Sequence, residues 1–459
     1  MSHPPTSIKP KLAAAGGSPL AERMKLALDY DELTSCMRCG FCQPSCPTFK
    51  ETGLEAASPR GRIALMKAVV DDLMVPDESF HKQMDLCLGC RACEPVCPAD
   101  VKYGHLLEAA RGAMEEQREH RWWVKLARHV TFKQLFPHPK RMRLVGAGLR
   151  FYQKSGLRRL ALRSGALKLL PRELRQMEEI LPEASSSGVA ERLGSFIPAQ
   201  GKPIAKVGMF RGCVMDVLFT DTNVNTVKLL SEAGFDVVIP ETQTCCGALH
   251  AHAGELEQAK ELARSNIAAF READVDFVVS NAGGCGALLV EYGHLLRDDP
   301  EMGEAAARFS LKVKDISELL VVQGRLDSFK HLSAEDQPSV TVTYQDSCHL
   351  RNVMKAGNAP RDLLARMDRI RLVEMEGADR CCGSAGIYNL VQPDMSMDIL
   401  DHKMEHVKET DARYVLTSNP GCLLQMKLGI EREGLSDRMQ ALHVADFLYE
   451  RLSKGFSKR

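Results

Sequence analysis

The sequence predicts an α/β protein in which a helical, cysteine-rich N-terminal domain precedes two repeated β-α-β-α-β modules with parallel sheets. In the second half of the chain, short β-branched runs alternate with amphipathic helical patterns, as in parallel α/β units. The same succession of strands, helices and cysteines occurs there twice, and eight further cysteines lie before it. The predicted divisions are a flexible tail at 1–20, the cysteine-rich domain at 21–117, a basic helical connector at 118–200, and the modules at 201–335 and 336–459.

Composition and cysteine count restrict the class of protein. The 459 residues suffice for several domains, and 44% hydrophobic with 26% charged residues is typical of globular chains. The tail lacks the apolar core of a signal peptide, and no run approaches the length of a membrane-spanning helix, so we expect a cytoplasmic protein. In a chain of this kind, sixteen cysteines indicate metal binding rather than a disulfide framework.

Two runs of four cysteines form the strongest motif. They read C-M-R-C-G-F-C-Q-P-S-C-P and C-L-G-C-R-A-C-E-P-V-C-P, and both fit C-x2-C-x2-C-x3-C-P. In two-cluster ferredoxins this spacing holds [4Fe–4S] clusters, and the fourth cysteine of each run ligates the other cluster. Zinc usually takes two pairs of ligands, and three cysteines spaced two residues apart do not match that pattern. The motif predicts a double [4Fe–4S] ferredoxin-type domain, with one cluster on Cys36, Cys39, Cys42 and Cys97 and a second on Cys46, Cys87, Cys90 and Cys93.

Glycines and arginines beside these cysteines are further candidates. Gly40 and Gly89 suit a close approach of the backbone to cluster sulfide. Arg60, Arg62 and Arg91 could offset the negative charge of the clusters, or they could be ordinary surface and helix-packing residues.

The repeat places a second kind of thiol group just past the predicted strands. In each copy one cysteine follows the first strand, a Cys-Cys-Gly follows the second, and a last cysteine follows the third, with nearly equal spacings. Ligands bind beyond the carboxyl ends of parallel strands, so the thiols of each copy are candidates to converge on one site. The two sets are Cys213, Cys245, Cys246 and Cys285, and Cys348, Cys381, Cys382 and Cys422.

Three roles stay open for each of these sets. They could bind a further iron–sulfur cluster, act as a redox-active dithiol, or be structural or vestigial, since buried free cysteine packs as a small hydrophobe. A disulfide within an adjacent Cys-Cys pair is strained and is not expected. His250, His252 and His349 are candidates to donate to sulfur or to ligate, although a lone histidine is more often a packed or surface residue.

The connector is strongly basic. Between Arg118 and Arg175 there are sixteen Lys or Arg residues and two acids, with Trp122, Trp123 and other aromatic residues among them. Such a segment suits an acidic face of a partner subunit or of this chain itself, and it also suits an anionic membrane surface. No motif that reads nucleic acid accompanies the charge, so nucleic acid is not an expected partner.

Three motifs carry a family resemblance. SPRGRI, GGCGALLVEYG and CCGSAGIY, together with the double ferredoxin-type N-terminus, resemble the glycolate oxidase iron–sulfur subunit family from about residue 21 to the C-terminus. Cys-Cys-Gly domains of this layout also occur in heterodisulfide reductases, lactate-utilisation proteins and anaerobic glycerol-3-phosphate dehydrogenase. The resemblance implies partner subunits that bind FAD and oxidise a 2-hydroxy acid. This chain would then pass their electrons to a quinone or another acceptor, in the cytoplasm or at the inner face of its membrane.

The chain carries no motif for oxidising the substrate itself. It has no G-x-G-x-x-G after a strand, and G-A-G-L-R from Gly146 begins like one and then departs from it. FAD is therefore expected only in partner subunits. The alternatives are the same role with lactate or glycerol-3-phosphate, a thiol or disulfide reductase acting at the Cys-Cys-Gly sites, and a non-enzymatic iron–sulfur scaffold or sensor.

Overall fold

The computed structural model describes residues 18–169, 172–325 and 338–456. Most of the predicted tail, residues 1–17, lies outside these ranges, and so does the predicted boundary between the modules near residue 335. Ser18 already caps the first helix, because its side chain accepts a hydrogen bond from the amide of Ala21 at 3.1 Å. A helix therefore begins within the segment that was predicted to be flexible.

The N-terminal domain is helical over its described residues, as predicted. Side-chain caps and prolines in the first turn begin its helices, with Ser58 and Pro59 at α4 and Asp77 at α5. Met24 and Met66 are fully buried in its core. The helices are α1 (Pro19–Ala27), α2 (Tyr30–Thr34), α3 (Pro47–Thr52), α4 (Pro59–Val70), α5 (Glu78–Leu86) and α6 (Tyr103–Gln117), with a 3-10 turn at Glu55–Ala57.

The connector is a series of short helices packed against the first module. Phe132 is buried, and its carbonyl accepts a hydrogen bond from His250 Nε2 at 2.9 Å. Gly146 approaches the module so closely that an added Cβ would lie 2.6 Å from Val217. Its elements are α7 (Trp122–Arg128), a π-helical turn (His129–Leu135), α8 (Pro139–Lys154), α9 (Leu157–Ser164), a 3-10 turn (Ala166–Leu169), α10 (Arg172–Ile180), α11 (Val189–Leu193) and the strand β1 (Phe196–Ile197).

The first module has a five-stranded sheet in the order β1-β3-β2-β4-β5. Strands β2 to β5 are parallel, and β1 adds an antiparallel edge with Phe196 opposite Val238. The strands are β2 (Ala205–Phe210), β3 (Phe235–Val238), β4 (Phe277–Ser280) and β5 (Val313–Asp315). The helices are α12 (Met215–Leu218), α13 (Thr220–Glu232), α14 (Ala248–His252), α15 (Leu256–Glu272), α16 (Gly283–Val290), α17 (Tyr292–Leu295), α18 (Gly303–Lys312) and α19 (Ile316–Gln323).

The second module repeats this architecture with a four-stranded parallel sheet in the order β7-β6-β8-β9. Its strands are β6 (Val340–Tyr344), β7 (Ile370–Leu372), β8 (Tyr414–Thr417) and β9 (Gln440–His443). Its helices are α20 (Cys348–Asn352), α21 (Ala359–Ala365), α22 (Tyr388–Val391), α23 (Pro393–Glu409), α24 (Pro420–Arg432) and α25 (Val444–Phe456).

Parallel sheets are confirmed, but each module is larger than the predicted β-α-β-α-β unit. The order β3-β2-β4-β5 in the first sheet corresponds to β7-β6-β8-β9 in the second, so each module has four parallel strands rather than three. The additional strands, β5 and β9, contain only three and four residues. Half of β9 is polar, and so short a strand carries too little alternation to be recognised in a sequence.

The two modules pack into one body around a shared apolar core. Buried residues of both sheets form one cluster, in which Val207 of β2 and Tyr344 of β6 take part. At the edge of the cluster, Asp446 accepts hydrogen bonds from Thr222 Oγ1 at 2.7 Å and Asn225 Nδ2 at 2.8 Å. The thiol-bearing ends of the two modules are therefore held at fixed positions relative to each other.

The close contact between the modules can be tested at a glycine. Gly283 begins α16, and a Cβ there would lie 2.2 Å from Ser347 Oγ of the second module. Gly283→Ala is expected to lower the free energy of unfolding by about 1–3 kcal/mol through overpacking, and so to lower the melting temperature. Gly148→Ala in α8 is the control, because its added Cβ meets nothing within 4 Å. Equal melting temperatures for the two variants would contradict this packing.

Asp315 is expected to make stability depend on pH. It is buried and caps α19 by accepting a hydrogen bond from the amide of Ser317 at 2.7 Å, and burial raises the pKa of its carboxyl from 3.8 to about 7. Between about pH 4 and pH 7 the folded protein keeps a proton that the unfolded chain releases. The free energy of unfolding therefore falls as pH rises through this window.

Asp315→Asn keeps a capping oxygen and removes the charge. This variant should lose less stability than the parent between pH 4 and pH 8, as measured by chemical denaturation. An unchanged pH profile would show that Asp315 is not the group responsible.

Candidate iron–sulfur and thiol sites

The first cysteine loop, residues 36–42, opens onto a pocket. Cys93 of the second run lines this pocket, and so do the four predicted ligands of the first cluster, Cys36, Cys39, Cys42 and Cys97. Among the described residues, no three ligand-type side chains are already arranged around one point as for a single metal ion. A cubane cluster instead takes each ligand at a separate iron, so it needs thiols that line a cavity. We call these four the first fourfold set, and their placement fits that requirement.

The second fourfold set, Cys46, Cys87, Cys90 and Cys93, is buried, with no member more than 8% exposed. Burial, followed by the neighbouring thiolates, raises the pKa of Cys90 and of Cys93 well above its usual range. Cys46 is one of these neighbours, although it belongs to the first run in the sequence. Cys46 therefore lies near thiols of the second run, and the assignment of the eight cysteines to two clusters stays a prediction.

The first loop and the second loop, residues 87–93, share one backbone geometry. The backbone is left-handed at Arg38 (φ 56°) and Gly40 (φ 91°) in the first loop, and at Gly89 (φ 65°) and Arg91 (φ 57°) in the second. Arginine and glycine have exchanged places between the loops. At Gly40 an added Cβ would also lie 2.7 Å from Arg60 Nη1, so a side chain there would require Arg60 to shift.

Arg62 lies among the second fourfold set. It is fully buried and donates hydrogen bonds to the Gln83 carbonyl at 2.7 Å and to Thr48 Oγ1 at 3.1 Å. Burial alone would lower its pKa, but the charges of Cys87 and Cys46 raise it. Arg62 therefore places a positive charge beside Cys87 and Cys46 of this buried set.

The other two candidate arginines make different contacts. Arg60 pairs with Glu55 beside the first loop, with 2.7 Å between Nε and the carboxylate. Arg91 is buried, pairs with Glu94 at 2.8 Å and forms a second ion pair with Glu291 of the first module. Arg91 thus ties the second loop to a neighbouring module.

The thiols of each module meet at the carboxyl ends of its strands. We call them the first-module thiols and the second-module thiols. In each module neighbouring thiols interact in chain order, Cys213, Cys245, Cys246 and Cys285 in the first and Cys348, Cys381, Cys382 and Cys422 in the second. The Cys213 and Cys245 sulfurs are 3.4 Å apart. Such crowded, buried thiols cannot all ionise without a cation to hold them together.

The second-module thiols lie next to the second loop. Cys348 and Cys381 share an apolar cluster with Cys90, and the charge of Cys348 contributes, after burial, to the raised pKa of Cys90. Asn352 Nδ2 donates a hydrogen bond to the carbonyl of Cys90 at 2.9 Å. The first-module thiols belong to another apolar cluster, against which Phe136 of the connector packs, and Cys285 also packs against the cluster that contains Cys382 and Cys422. The two repeats are thus similar in fold but different in what their thiols face.

All three candidate histidines contact another domain. His250 donates to the connector, as described above. His252 Nδ1 lies 3.2 Å from Glu108 of α6, and His349 Nε2 donates to the carbonyl of Gly89 at 3.2 Å. Burial is the main reason that the pKa of His349 falls to about 4, so this ring is neutral. These contacts give the three histidines a packing role between domains.

Lys403 is a site residue that motif reasoning does not reveal. It is 4% exposed and donates to the carbonyl of Arg380, next to the Cys-Cys pair, at 3.1 Å. Burial lowers its pKa to about 8. At the corresponding place in the first module, Asn266 Nδ2 donates to the carbonyl of Cys245 at 2.9 Å. Aligning the two repeats would have revealed this difference between a cation and a neutral amide.

Inward-facing cations of the connector pair with acids of this chain. Arg128 pairs with Glu255 of the first module at 2.8 Å, and Arg158 with Glu178 at 2.7 Å. The predicted docking onto the chain's own acidic groups is therefore present for this face.

The outward face of the connector has unpaired cations among exposed apolar residues. Trp122 and Trp123 are 76% and 54% exposed, and Phe151 is 66% exposed. None of the helices in the described ranges is long and apolar enough to cross a membrane. Within those ranges, the exposed cations of the connector that form no ion pair are Arg121, Lys125, Lys133, Lys140, Arg141, Arg159, Arg163 and Lys168.

These features define an iron–sulfur electron-transfer protein with a two-cluster domain and two cysteine-rich modules. Residues 32–101 match the family model of the 4Fe-4S dicluster domain, and residues 207–289 and 342–427 match that of the cysteine-rich domain. Residues 123–181 match the model of the linker region of the glycolate oxidase iron–sulfur subunit.

Whole-chain comparisons identify the family. The chain is 53% identical to the probable glycolate oxidase iron–sulfur subunit of Bacillus subtilis, over 94% of this chain and 96% of that protein. It is 30% identical to the glycolate oxidase iron–sulfur subunit of Escherichia coli, over 86% and 90%. Lactate utilization protein A of Geobacillus thermodenitrificans is 33% identical over 54% of this chain and 99% of that protein. The chain belongs to the glycolate oxidase iron–sulfur subunit family, and it binds iron–sulfur clusters.

The charge of Arg62 should be measurable as a reduction potential. Arg62→Met is expected to shift the midpoint potential of the second cluster to more negative values, because a buried cation no longer stabilises the electron added to the cluster. Arg60→Met removes an exposed arginine and should change this potential little. The test is a redox titration of the cluster-loaded chain, monitored by EPR. Equal potentials in the parent and in Arg62→Met would contradict the placement of this charge.

Proposed function

We propose that this chain is the electron-transfer subunit of a glycolate dehydrogenase or oxidase complex. Partner subunits that bind FAD oxidise the 2-hydroxy acid, and this chain carries the electrons to a quinone or another acceptor. The observation that carries the proposal is the contact of the second loop with the second-module thiols, in a chain similar to such subunits over nearly its whole length. When bound, iron–sulfur clusters supply one-electron steps that divide the electron pair of a flavin.

The two fourfold sets would each hold one [4Fe–4S] cluster, with Cys46 and Cys97 exchanged between the runs. Cys46 is positioned by the start of α3, where its sulfur lies 3.3 Å from Thr48 Oγ1. The Gly89 amide donates to the Cys87 sulfur at 3.4 Å, and the hydroxyl of Tyr103 donates to it at 3.5 Å. Hydrogen bonds to sulfur and burial are the means by which a protein adjusts the potential of a cluster.

The Cys-Cys-Gly sites would each hold a further iron–sulfur cluster. Four thiols per module provide enough ligands, of which two are buried in the first module and all four in the second. The glycine after each Cys-Cys pair is left-handed, at Gly247 (φ 87°) and Gly383 (φ 90°). A buried cation favours the reduced, more negative form of a cluster. Lys403 would therefore give the second-module site a higher potential than its neutral counterpart in the first module.

The outward face of the connector supports a peripheral position on the inner face of the cytoplasmic membrane. Unpaired cations suit anionic headgroups, and exposed tryptophans suit the boundary between headgroups and acyl chains. A docking site for the FAD-binding subunits would use the same combination of charge and apolar area. Nucleic acid stays outside the proposal, because no reading motif accompanies the charge.

A second candidate function is the same electron-transfer role with another substrate. The similarity to lactate utilization protein A, which spans about half of this chain, favours lactate as that substrate. Glycerol-3-phosphate and a reductase activity at the Cys-Cys-Gly thiols are the remaining alternatives.

Purification of the complex from its native host would separate these functions. We expect FAD-containing subunits to co-purify with the chain, and turnover with glycolate to exceed turnover with D-lactate and glycerol-3-phosphate. Faster turnover with one of the other two substrates would replace glycolate. A chain that purifies alone and reduces disulfides would support the reductase.

Iron content tests whether the modules bind clusters. We expect about sixteen irons per chain after anaerobic purification, and about twelve in each of the matched variants Cys246→Ser and Cys382→Ser. The EPR signals of the two fourfold sets should remain in both variants. About eight irons in the parent and in both variants would show that the module thiols carry no cluster.

A further inference from the structure

A cavity of about 320 Å³ lies where the N-terminal domain, the connector and both modules meet. Cys87 and Leu88 of the second loop line it, together with Arg111 of α6, Leu249 of α14 and Val391 of α22. The functions proposed above do not use this space.

The cavity reaches the second fourfold set through Cys87. Arg111 lies beside this cysteine, and its Nη2 donates to the carbonyls of Cys87 at 2.6 Å and Met84 at 2.9 Å. Within the described ranges Arg111 forms no ion pair with a carboxylate, while its Nη1 donates to the His252 carbonyl at 3.5 Å and its charge acts on the Cys87 thiol. A molecule bound here would lie beside one ligand of the second cluster and one unpaired guanidinium.

The other charges on the cavity wall are neutralised locally. Arg118 pairs with Asp85 at 2.7 Å, and Arg128 pairs with Glu115 at 2.9 Å. The cavity therefore does not favour a polyanion such as a nucleotide. A single guanidinium can donate hydrogen bonds to a carbonyl oxygen, or to the oxyanion that forms when the carbonyl compound takes up an electron.

Two apolar residues of the cavity lining are exposed to solvent. Ile387 and Val391 are 39% and 60% exposed there. Trp122 and Trp123 are exposed at the start of α7, about 9 Å along the helix axis from Arg128, which lines the cavity. Exposed apolar side chains around an opening favour a ligand that arrives from an apolar phase.

We propose that this cavity binds a quinone, which the second cluster reduces there. The inference rests on the proposed function, because it requires a cluster at Cys87. The quinone takes two electrons, one at a time, and two protons from water at the open mouth, and it leaves as the quinol. The electrons come from the partner flavin, which the hydroxy acid reduces. Arg111 donates to a quinone oxygen and stabilises the anion that forms after the first electron.

The test compares two Val→Trp variants of the cluster-loaded whole chain. Val391→Trp narrows the cavity mouth. Val322→Trp changes an exposed residue of α19 that does not line the cavity, and it is the matched control. Each reduced chain is mixed with a short-chain ubiquinone analogue or with ferricyanide, and its reoxidation is followed by stopped-flow absorbance. Val391→Trp should slow oxidation by the quinone about tenfold and leave oxidation by ferricyanide unchanged.

Leu249→Trp is a second variant, which fills the cavity from the first module. Equal quinone rates in the parent, Val391→Trp and Leu249→Trp, with the EPR signals of both clusters present, would overturn the quinone site. A parent chain without the EPR signal of the second cluster would overturn the proposed function instead.

Discussion

The burial of four thiols where the domains meet constrains the rest of this structure. These thiols are Cys46, Cys87, Cys90 and Cys93, and Arg62 is buried among them. Removing several ionisable groups from water is costly unless opposite charges and hydrogen bonds compensate. A bound cluster with Arg62 beside it would provide that compensation, which the apolar core of the domain cannot.

The second loop, residues 87–93, carries three of these thiols and also determines how the domains are arranged. Its neighbouring carbonyls accept hydrogen bonds from three side chains of the second module, and Arg91 forms an ion pair with the first. Cys90 and Cys348 consequently share one apolar cluster, while the first-module thiols face the connector. Duplication of one fold has thus produced two thiol sites with different neighbours. The first module has Asn266 where the second has Lys403, so the electrostatic environments of the two thiol sites differ as well.

Local sequence patterns predicted most of the fold and the outline of the candidate site. The spacing of the cysteine runs, the alternation of strands with helices and the Cys-Cys-Gly repeat all lie within short stretches of sequence, and the structure contains the predicted parallel sheets in two repeated modules. Strands β5 and β9 were missed because three or four residues are too few to show a period. The start of α1 was missed because the Ser18 cap and its proline stand within a segment of low-complexity composition.

Features that depend on contact between distant segments could not be predicted. The sequence left Arg60, Arg62 and Arg91 equivalent, and only packing shows that Arg62 lies among thiols whereas Arg91 joins domains. Lys403 and Arg111 belong to no motif. Their significance comes from burial beside a Cys-Cys pair and from a cavity that four separate parts of the chain enclose.

Two cysteines of the first run provide the most direct test of the central claim, that the second cluster takes a ligand from the first run. Cys39 is exposed and Cys46 is buried, although only seven positions separate them. EPR spectra of the reduced variants Cys39→Ala and Cys46→Ala should each lack one cluster signal, and the missing signals should differ. Loss of the same signal in both variants would mean that the first run serves a single cluster, which would contradict the account.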